Sequence, residues 1–181
     1  MKWILIVLGS LVGLLVLCLV VLLVMGASAD SNRMVATIVI HRKPEVVWPW
    51  LHKPDKVKQW VSWLVELREV GEGGGEPAVG QKAVWVMEDR NNNNERMEIT
   101  GTVTAVEPNR RIAVHMTAPE GFSGEATYLL TALPDGSTRL DTDSRYVFDN
   151  GFAKLMTPLV LWQAKKKLAG DQEHLRQLVE Q

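Results

Sequence analysis

The sequence predicts an α+β domain, in which helices, including a long C-terminal one, pack on one face of an antiparallel sheet of about six or seven strands, preceded by one transmembrane helix. Three observations support this prediction. Residues 3–25 are uncharged and rich in leucine and valine. Residues 65–148 mostly alternate apolar and polar side chains, which is typical of strands with one buried face. Residues 150–181 carry apolar side chains at helical spacing.

The N-terminal segment, residues 3–25, is long enough to cross a bilayer. As a helix it spans roughly 35 Å, against a hydrocarbon core of about 30 Å. Residues 27–29 (Ala-Ser-Ala) have the small-residue pattern of a cleavage site, but the apolar segment exceeds the roughly 7 to 15 residues of a signal peptide. We therefore interpret residues 1–29 as an uncleaved transmembrane anchor, residues 30–34 as a linker and residues 35–181 as the folded domain.

The charges beside this segment leave its orientation open. Lys2 favours a cytoplasmic N-terminus, whereas Arg33, Arg42 and Lys43 favour the reverse. The only cysteine is Cys18, so the domain has no disulfide bonds and is compatible with either compartment. The predicted localisation is a single-pass membrane protein, and we favour the extracytoplasmic side for its domain.

The charge balance argues against a nucleic acid partner. The chain has 20 lysines and arginines against 21 aspartates and glutamates, a net charge of −1, so no basic surface is expected. The one local cluster is Lys165-Lys166-Lys167, whose side chains point to different sides of a helix. A solvated face is the plainer interpretation, and a contact with lipid headgroups is the alternative.

The domain opens with a strand and two short helices. Residues 35–41 (VATIVIH) are β-branched and alternating, which predicts a strand. Pro44 and Pro54 suit the first turns of two helices, and Pro49 limits the length of the first helix. Four of the seven tryptophans lie in this region. We interpret them as pins that hold the helices on the sheet, with Trp60 directed inward, although an aromatic cage for a ligand stays open.

One hairpin in the strand region has a clear turn signal. Residues 134–136 (Pro-Asp-Gly) predict a three-residue loop whose glycine is left-handed. The register that keeps apolar side chains on one face pairs Leu130 with Leu140 and places Tyr128 opposite Thr142.

The chain closes with a long helix, predicted over residues 150–181. Leu155, Leu159 and Trp162 form one apolar stripe at helical spacing. Pro158 is compatible with that stripe only if the helix starts or bends there.

Several short motifs occur together in an order and spacing typical of one superfamily. They are Ile40 with Pro44-Glu45-Val46-Val47-Trp48, Pro54 and Trp60, Gly101-Thr102-Val103, Pro108-Asn109-Arg110-Arg111-Ile112, Tyr128-Leu129-Leu130, residues 135–140 (DGSTRL) and residues 175–178 (LRQL). Over residues 33–181 the chain resembles the SRPBCC superfamily, which includes START lipid-transfer domains and plant pathogenesis-related proteins. Within it, the chain is most similar to the polyketide cyclase/dehydrase and lipid-transport type.

The resemblance implies a helix-grip fold, in which a curved sheet grips the C-terminal helix around a hydrophobic cavity. Ligands of this superfamily are typically lipids, polyketides, sterols or other apolar molecules. The resemblance does not imply catalysis, because many members only bind.

The residues themselves contain no convincing catalytic constellation. The four histidines lack the spacing of metal ligands. His115 lies on a predicted strand, where a structural role is the plainer interpretation and a general base is the alternative. Asp141 and Asp143 share a strand face with arginines, which favours a salt-bridge ladder over paired acid–base carboxylates. We predict no catalytic residue, no metal site and no cofactor.

Binding of an apolar molecule is therefore the predicted function. The protein would bind, and could transport, a hydrophobic small molecule or lipid without turning it over, while residues 3–25 contact the membrane. The alternatives are a polyketide cyclase or dehydratase-like enzyme and a non-binding, co-chaperone-like interaction module. The predicted pocket residues, for each of which a plain core role is the alternative, are Trp60, Trp85, Met87, Met97, Ile99, Val103, Val114, Met116, Tyr128, Leu130, Leu140, Thr142, Leu159 and Trp162.

Overall fold

The computed structural model describes most of the chain. The described residues are 2–26, 32–71, 75–89, 94–119, 121–149 and 151–181. Within the two longest helices, the side chains of residues 2, 4, 5, 8, 19, 22–26 and 151–160 are not described.

Seven antiparallel strands and five helices make up this part of the chain. In chain order they are α1 (Lys2–Gly26), β1 (Arg33–Ile40), α2 (Pro44–Val47), α3 (Pro49–His52), α4 (Pro54–Trp60), β2 (Leu64–Val70), β3 (Lys82–Asp89), β4 (Glu95–Glu107), β5 (Arg111–Ala118), β6 (Phe122–Ala132), β7 (Thr138–Phe148) and α5 (Gly151–Glu180). The strands form a single curved sheet in the order β1-β7-β6-β5-β4-β3-β2. The predicted α+β fold, with its antiparallel sheet and long C-terminal helix, is confirmed.

The membrane prediction is not supported. Crossing a bilayer takes about 20 consecutive, mainly apolar residues in one helix. Among the described residues, which include only part of the α1 side chains, no helix is both long and apolar enough to span a membrane. This finding contradicts the predicted single-pass membrane localisation, with its anchor at residues 3–25 and its extracytoplasmic domain.

Three proline-initiated helices connect β1 to β2, where the sequence predicted two. Pro44, Pro49 and Pro54 each lie in the first turn of a helix, where a missing N–H leaves no hydrogen bond unmade. Trp48, between α2 and α3, also has helical dihedral angles (φ −51°, ψ −48°). The chain therefore passes directly from one short helix to the next, so Pro49 starts α3 as well as ending α2.

Two buried tryptophans tie these helices to their surroundings. Trp48 and Trp60 are only 2% and 3% exposed. The Trp60 indole N–H donates to the backbone carbonyl of Trp50 (2.8 Å), and the Trp48 indole N–H donates to the Glu76 carboxylate (2.8 Å). Because each buried indole has a hydrogen-bond partner, these side chains can pack in the core without leaving a polar group unpaired.

The β6–β7 hairpin has the predicted register. Leu130 pairs with Leu140 and Tyr128 with Thr142. Gly136 adopts φ +82°, a left-handed conformation that side chains disfavour. The Leu133 N–H donates to the Ser137 carbonyl (2.9 Å) and closes the loop.

The C-terminal part of α5 is fixed against the sheet by a buried polar contact. The Gln172 side-chain amide donates to the Thr142 hydroxyl at 2.7 Å, and both residues are 1% exposed. Leu175 and Val179, one and two turns further on, belong to the same core as Ile40. This anchoring holds the preceding turns of α5 over the concave face of the sheet, where the candidate site lies.

Candidate ligand-binding cavity

A cavity of about 310 Å³ lies between the sheet and α5. One wall comes from strands β3 to β7 and from Met34 of β1. The other comes from the end of α4, the segment that follows it and the turns of α5 from Leu161 to Asp171. Most of the lining side chains are aliphatic, aromatic or methionine, so the cavity is largely apolar.

Half of the residues that the sequence suggested lie together on this cavity. Successive residues of a strand point to opposite faces, so alternate residues of β3 and β4 face α5. The seven predicted residues that line the cavity are Trp60, Trp85, Met87, Met97, Ile99, Met116 and Tyr128.

Three predicted residues are core residues away from the cavity. Leu130 and Leu140 are 3% and 1% exposed and pack in the cluster that contains Leu175. Thr142 is engaged by Gln172. They lie on the same sheet face as the cavity, but α5 packs directly against the sheet at this end and leaves no space.

Trp162 was predicted to line the cavity, but its side chain is 66% exposed. The residues of α5 that reach the cavity include Leu161, Ala164 and Leu168. Adjacent residues of a helix differ by about 100° in direction, so a stripe through Leu161 turns its neighbour Trp162 outward. Leu159, also predicted, lies outside the described side chains.

Val103 and Val114 line a different, smaller cavity of about 60 Å³. Trp85 borders both cavities and separates them.

His52 also borders the smaller cavity. Its Nδ1 lies 3.0 Å from the Trp48 carbonyl, which can only accept a hydrogen bond, so Nδ1 carries the proton. Burial lowers the pKa of His52. Within the described part of the chain its buried Nε2 has no hydrogen-bond partner. The space is large enough for water.

Aromatic residues at the ends of β6 and β7 were missed by the sequence analysis. Phe122 stacks on Tyr146 with ring centroids 5.3 Å apart and meets Phe148 at 5.6 Å. All three line the cavity. A Cβ on Gly124 would overlap the Tyr146 ring, so this glycine allows the ring to lie against the strand. A glycine inside a strand pattern is a signal for such a close approach.

Four methionines give the cavity an adaptable lining. Met34, Met87, Met97 and Met116 contribute to its wall from four different strands. Unbranched thioether side chains can adjust to ligands of different shape. Met97 is 37% exposed, which places it where the cavity meets solvent.

Tyr128 presents a hydroxyl to this apolar space. The Tyr128 side chain is surrounded by protein. It is still partly accessible to solvent, because it lines the cavity. Its ring meets Trp60 edge to face, with centroids 6.4 Å apart. Burial, with smaller contributions from Tyr146 and Asp171, raises its pKa far above the usual range, so the phenol stays protonated.

An ion pair on α5 borders the same cavity. The Lys167 ammonium lies 3.8 Å from the Asp171 carboxylate and 4.4 Å from the Trp63 ring centroid. Ser62 links the pair, since it accepts a hydrogen bond from Lys167 and donates one to Asp171 (2.7 Å). Both charged side chains are less than one-fifth exposed. Their charges are therefore compensated by each other.

The other titratable candidates lie elsewhere. His115 pairs with Thr102 and Glu125 on neighbouring strands, on the sheet face opposite to its cavity-lining neighbour Met116. Asp141 accepts a hydrogen bond from Arg139 (2.9 Å). Over the residues that the structure describes, no group of three or more His, Cys, Asp or Glu side chains is arranged to hold a metal ion.

Solved structures with the same fold are numerous. A protein from Chromobacterium violaceum aligns with a TM-score of 0.62 and 16% identity, over 83% of this chain and 99% of its own. A conserved protein from Geobacillus kaustophilus aligns with a TM-score of 0.64 and 16% identity, over 81% and 94%. A protein from Thermus thermophilus aligns with a TM-score of 0.60 and 17% identity, over 81% and 96%. At these identities the likeness shows the fold alone.

The sequence comparison identifies the family. No protein with curated annotation matches the chain. The family model for polyketide cyclase/dehydrase and lipid transport proteins matches residues 32–180, which is the whole sheet together with its helices up to the end of α5. The chain therefore belongs to the polyketide cyclase/dehydrase and lipid transport family.

Proposed function

We propose that this protein binds a hydrophobic small molecule or lipid in the cavity between the sheet and α5, without turning it over. The observation that carries the proposal is the apolar cavity of about 310 Å³. Ligand pockets generally begin at about 300 Å³. An apolar cavity of about 150 Å³ is enough to bind benzene, so this one suits a molecule of about two rings or a compact chain.

The apolar lining of this cavity supports a binding role. A ligand that fills the space would remove apolar side chains from water, which is favourable by roughly 25 cal/mol per Å² of apolar surface buried.

The arrangement of polar groups favours binding over the cyclase alternative. Acid–base chemistry needs polar side chains that converge on one point of the cavity. Tyr128 faces the cavity, but Thr142 is engaged by Gln172 and His115 is on the opposite sheet face. The nearby Lys167 and Asp171 are paired with each other. The interaction-module alternative predicts a collapsed cavity, which is hard to reconcile with the observed volume.

Filling the cavity tests the proposal. The full-length protein is titrated with the neutral fluorophore N-phenyl-1-naphthylamine, whose emission rises in apolar surroundings. Ala164→Phe projects a ring from α5 into the cavity, and we expect at least a tenfold loss of affinity. Ala169→Phe introduces the same ring at an exposed position of the same helix and serves as the matched control.

Circular dichroism and thermal unfolding check that both variants fold. Equal affinity of Ala164→Phe and Ala169→Phe would place the dye elsewhere and refute the cavity as the site. Absence of any binding by the unsubstituted protein, to the dye or to a panel of lipids, would refute the function itself.

A further inference from the structure

The polar groups of the cavity differ in whether they already have a hydrogen-bond partner. Lys167, Ser62 and Asp171 form hydrogen bonds and an ion pair with one another, and the Tyr146 hydroxyl lies beside Ser144. The Tyr128 hydroxyl, by contrast, forms no hydrogen bond with any residue that the structure describes, although it faces the cavity. Leaving such a group unpaired in an apolar space costs free energy, so a ligand atom that accepts its hydrogen bond would be favoured.

The charges around Tyr128 restrict what that ligand atom can be. Asp171 is close enough to Tyr128 to disfavour its ionisation. The Lys167 charge is already compensated by Asp171 and lies against the Trp63 ring. An anionic ligand group would thus meet a carboxylate without gaining a free cation, and it would lose its hydration in an apolar space.

We propose that the cavity selects neutral molecules that carry one hydrogen-bond-accepting oxygen on an apolar body, such as ketones, esters or alcohols, over pure hydrocarbons and over carboxylates. The Tyr128 hydroxyl donates the hydrogen bond to that oxygen. This inference rests on the proposed function and adds the ligand's chemical class.

Three probes of nearly the same shape separate these possibilities. Naphthalene, 2-acetylnaphthalene and 2-naphthoate share a two-ring body that suits the cavity volume. The ketone can accept a hydrogen bond, the hydrocarbon cannot, and the carboxylate carries a charge. Dissociation constants of the full-length protein are measured by equilibrium dialysis at pH 7. We expect the ketone to bind roughly threefold to tenfold more tightly than the hydrocarbon, the value of one net hydrogen bond, and the carboxylate to bind more weakly than the ketone.

Two matched tyrosine variants assign the effect to one hydroxyl. Tyr128→Phe keeps the ring against Trp60 but removes the donor, so the ratio of ketone to hydrocarbon affinity should fall to about one. Tyr146→Phe removes the other tyrosine hydroxyl of the cavity, which lies beside Ser144. In that variant the ratio should stay as in the unsubstituted protein.

The outcomes distinguish this inference from the proposed function. Equal binding of ketone and hydrocarbon, a preference that survives in Tyr128→Phe, or a carboxylate that binds as tightly as the ketone would each overturn the inference while ligand binding stands. Failure of all three probes to bind, in a protein that also rejects N-phenyl-1-naphthylamine, would overturn both.

Discussion

Replacing Thr142 by valine should destabilise the protein, because the buried side-chain amide of Gln172 would lose its hydrogen-bond acceptor. The Thr142 hydroxyl accepts a hydrogen bond of 2.7 Å from Gln172, and both residues are 1% exposed. Valine has nearly the same shape as threonine but cannot accept the bond. The Gln172 N–H would then be buried without that partner, which costs about 1–3 kcal/mol.

Urea unfolding followed by circular dichroism measures this cost. In thermal unfolding of a domain of this size, a loss of 2 kcal/mol corresponds to a decrease of about 4–8 °C in Tm. The double variant Thr142→Val with Gln172→Leu removes both polar partners, so it should be more stable than Thr142→Val alone. The coupling energy between the two positions should be about 1–2 kcal/mol.

Thr37→Val is the matched control for this experiment. Thr37 lies on β1, where its exposed hydroxyl donates to Asp141 (2.8 Å). Exposed substitutions of this kind usually change stability by less than about 0.5 kcal/mol. If Thr142→Val costs no more than Thr37→Val, or if the two positions show no coupling, the argument from the buried hydrogen bond is refuted.

Three further predictions follow from particular contacts. Gly124→Ala should cost about 1–3 kcal/mol in urea unfolding, because the added Cβ would overlap the Tyr146 ring; a neutral result would mean that the ring moves freely. Leu161→Ala should cost about 2–5 kcal/mol, since Leu161 is 3% exposed, whereas Trp162→Ala should change stability and ligand affinity little, since Trp162 is 66% exposed; the reverse order would contradict the assigned helix face. Burial raises the pKa of Tyr128, so the folded state keeps its proton while the unfolded state loses it above about pH 10. Stability should therefore be intact below that pH and fall above it by up to about 1.4 kcal/mol per pH unit for this group, and Tyr128→Phe should reduce that slope; an unchanged slope would argue against a buried phenol.

The sequence by itself determined several local features and the order of the strands and the long C-terminal helix. Proline restricts φ and lacks an N–H, so Pro44 and Pro54 indicate helix starts independently of tertiary contacts. The alternation through Met97 and Ile99 assigned a strand and its inward face, because the side-chain period of a strand is two. The loop at Gly136 determined the β6–β7 register for the same local reason.

Only the tertiary structure decided where α5 faces the sheet, and with it the chemistry of the cavity. The rotation of α5 depends on contacts with residues far away in the chain, such as Gln172 with Thr142, and no local pattern contains them. Helical spacing therefore predicted that the apolar stripe through Trp162 faces the sheet, but the structure turns Trp162 towards solvent. The correct face includes Ala164, Lys167 and Asp171, which hydrophobic periodicity does not select. The sequence could predict that a sheet would pack around a helix. Lys167 and Asp171 border the cavity, however, only because packing fixes the rotation of that helix about its own axis.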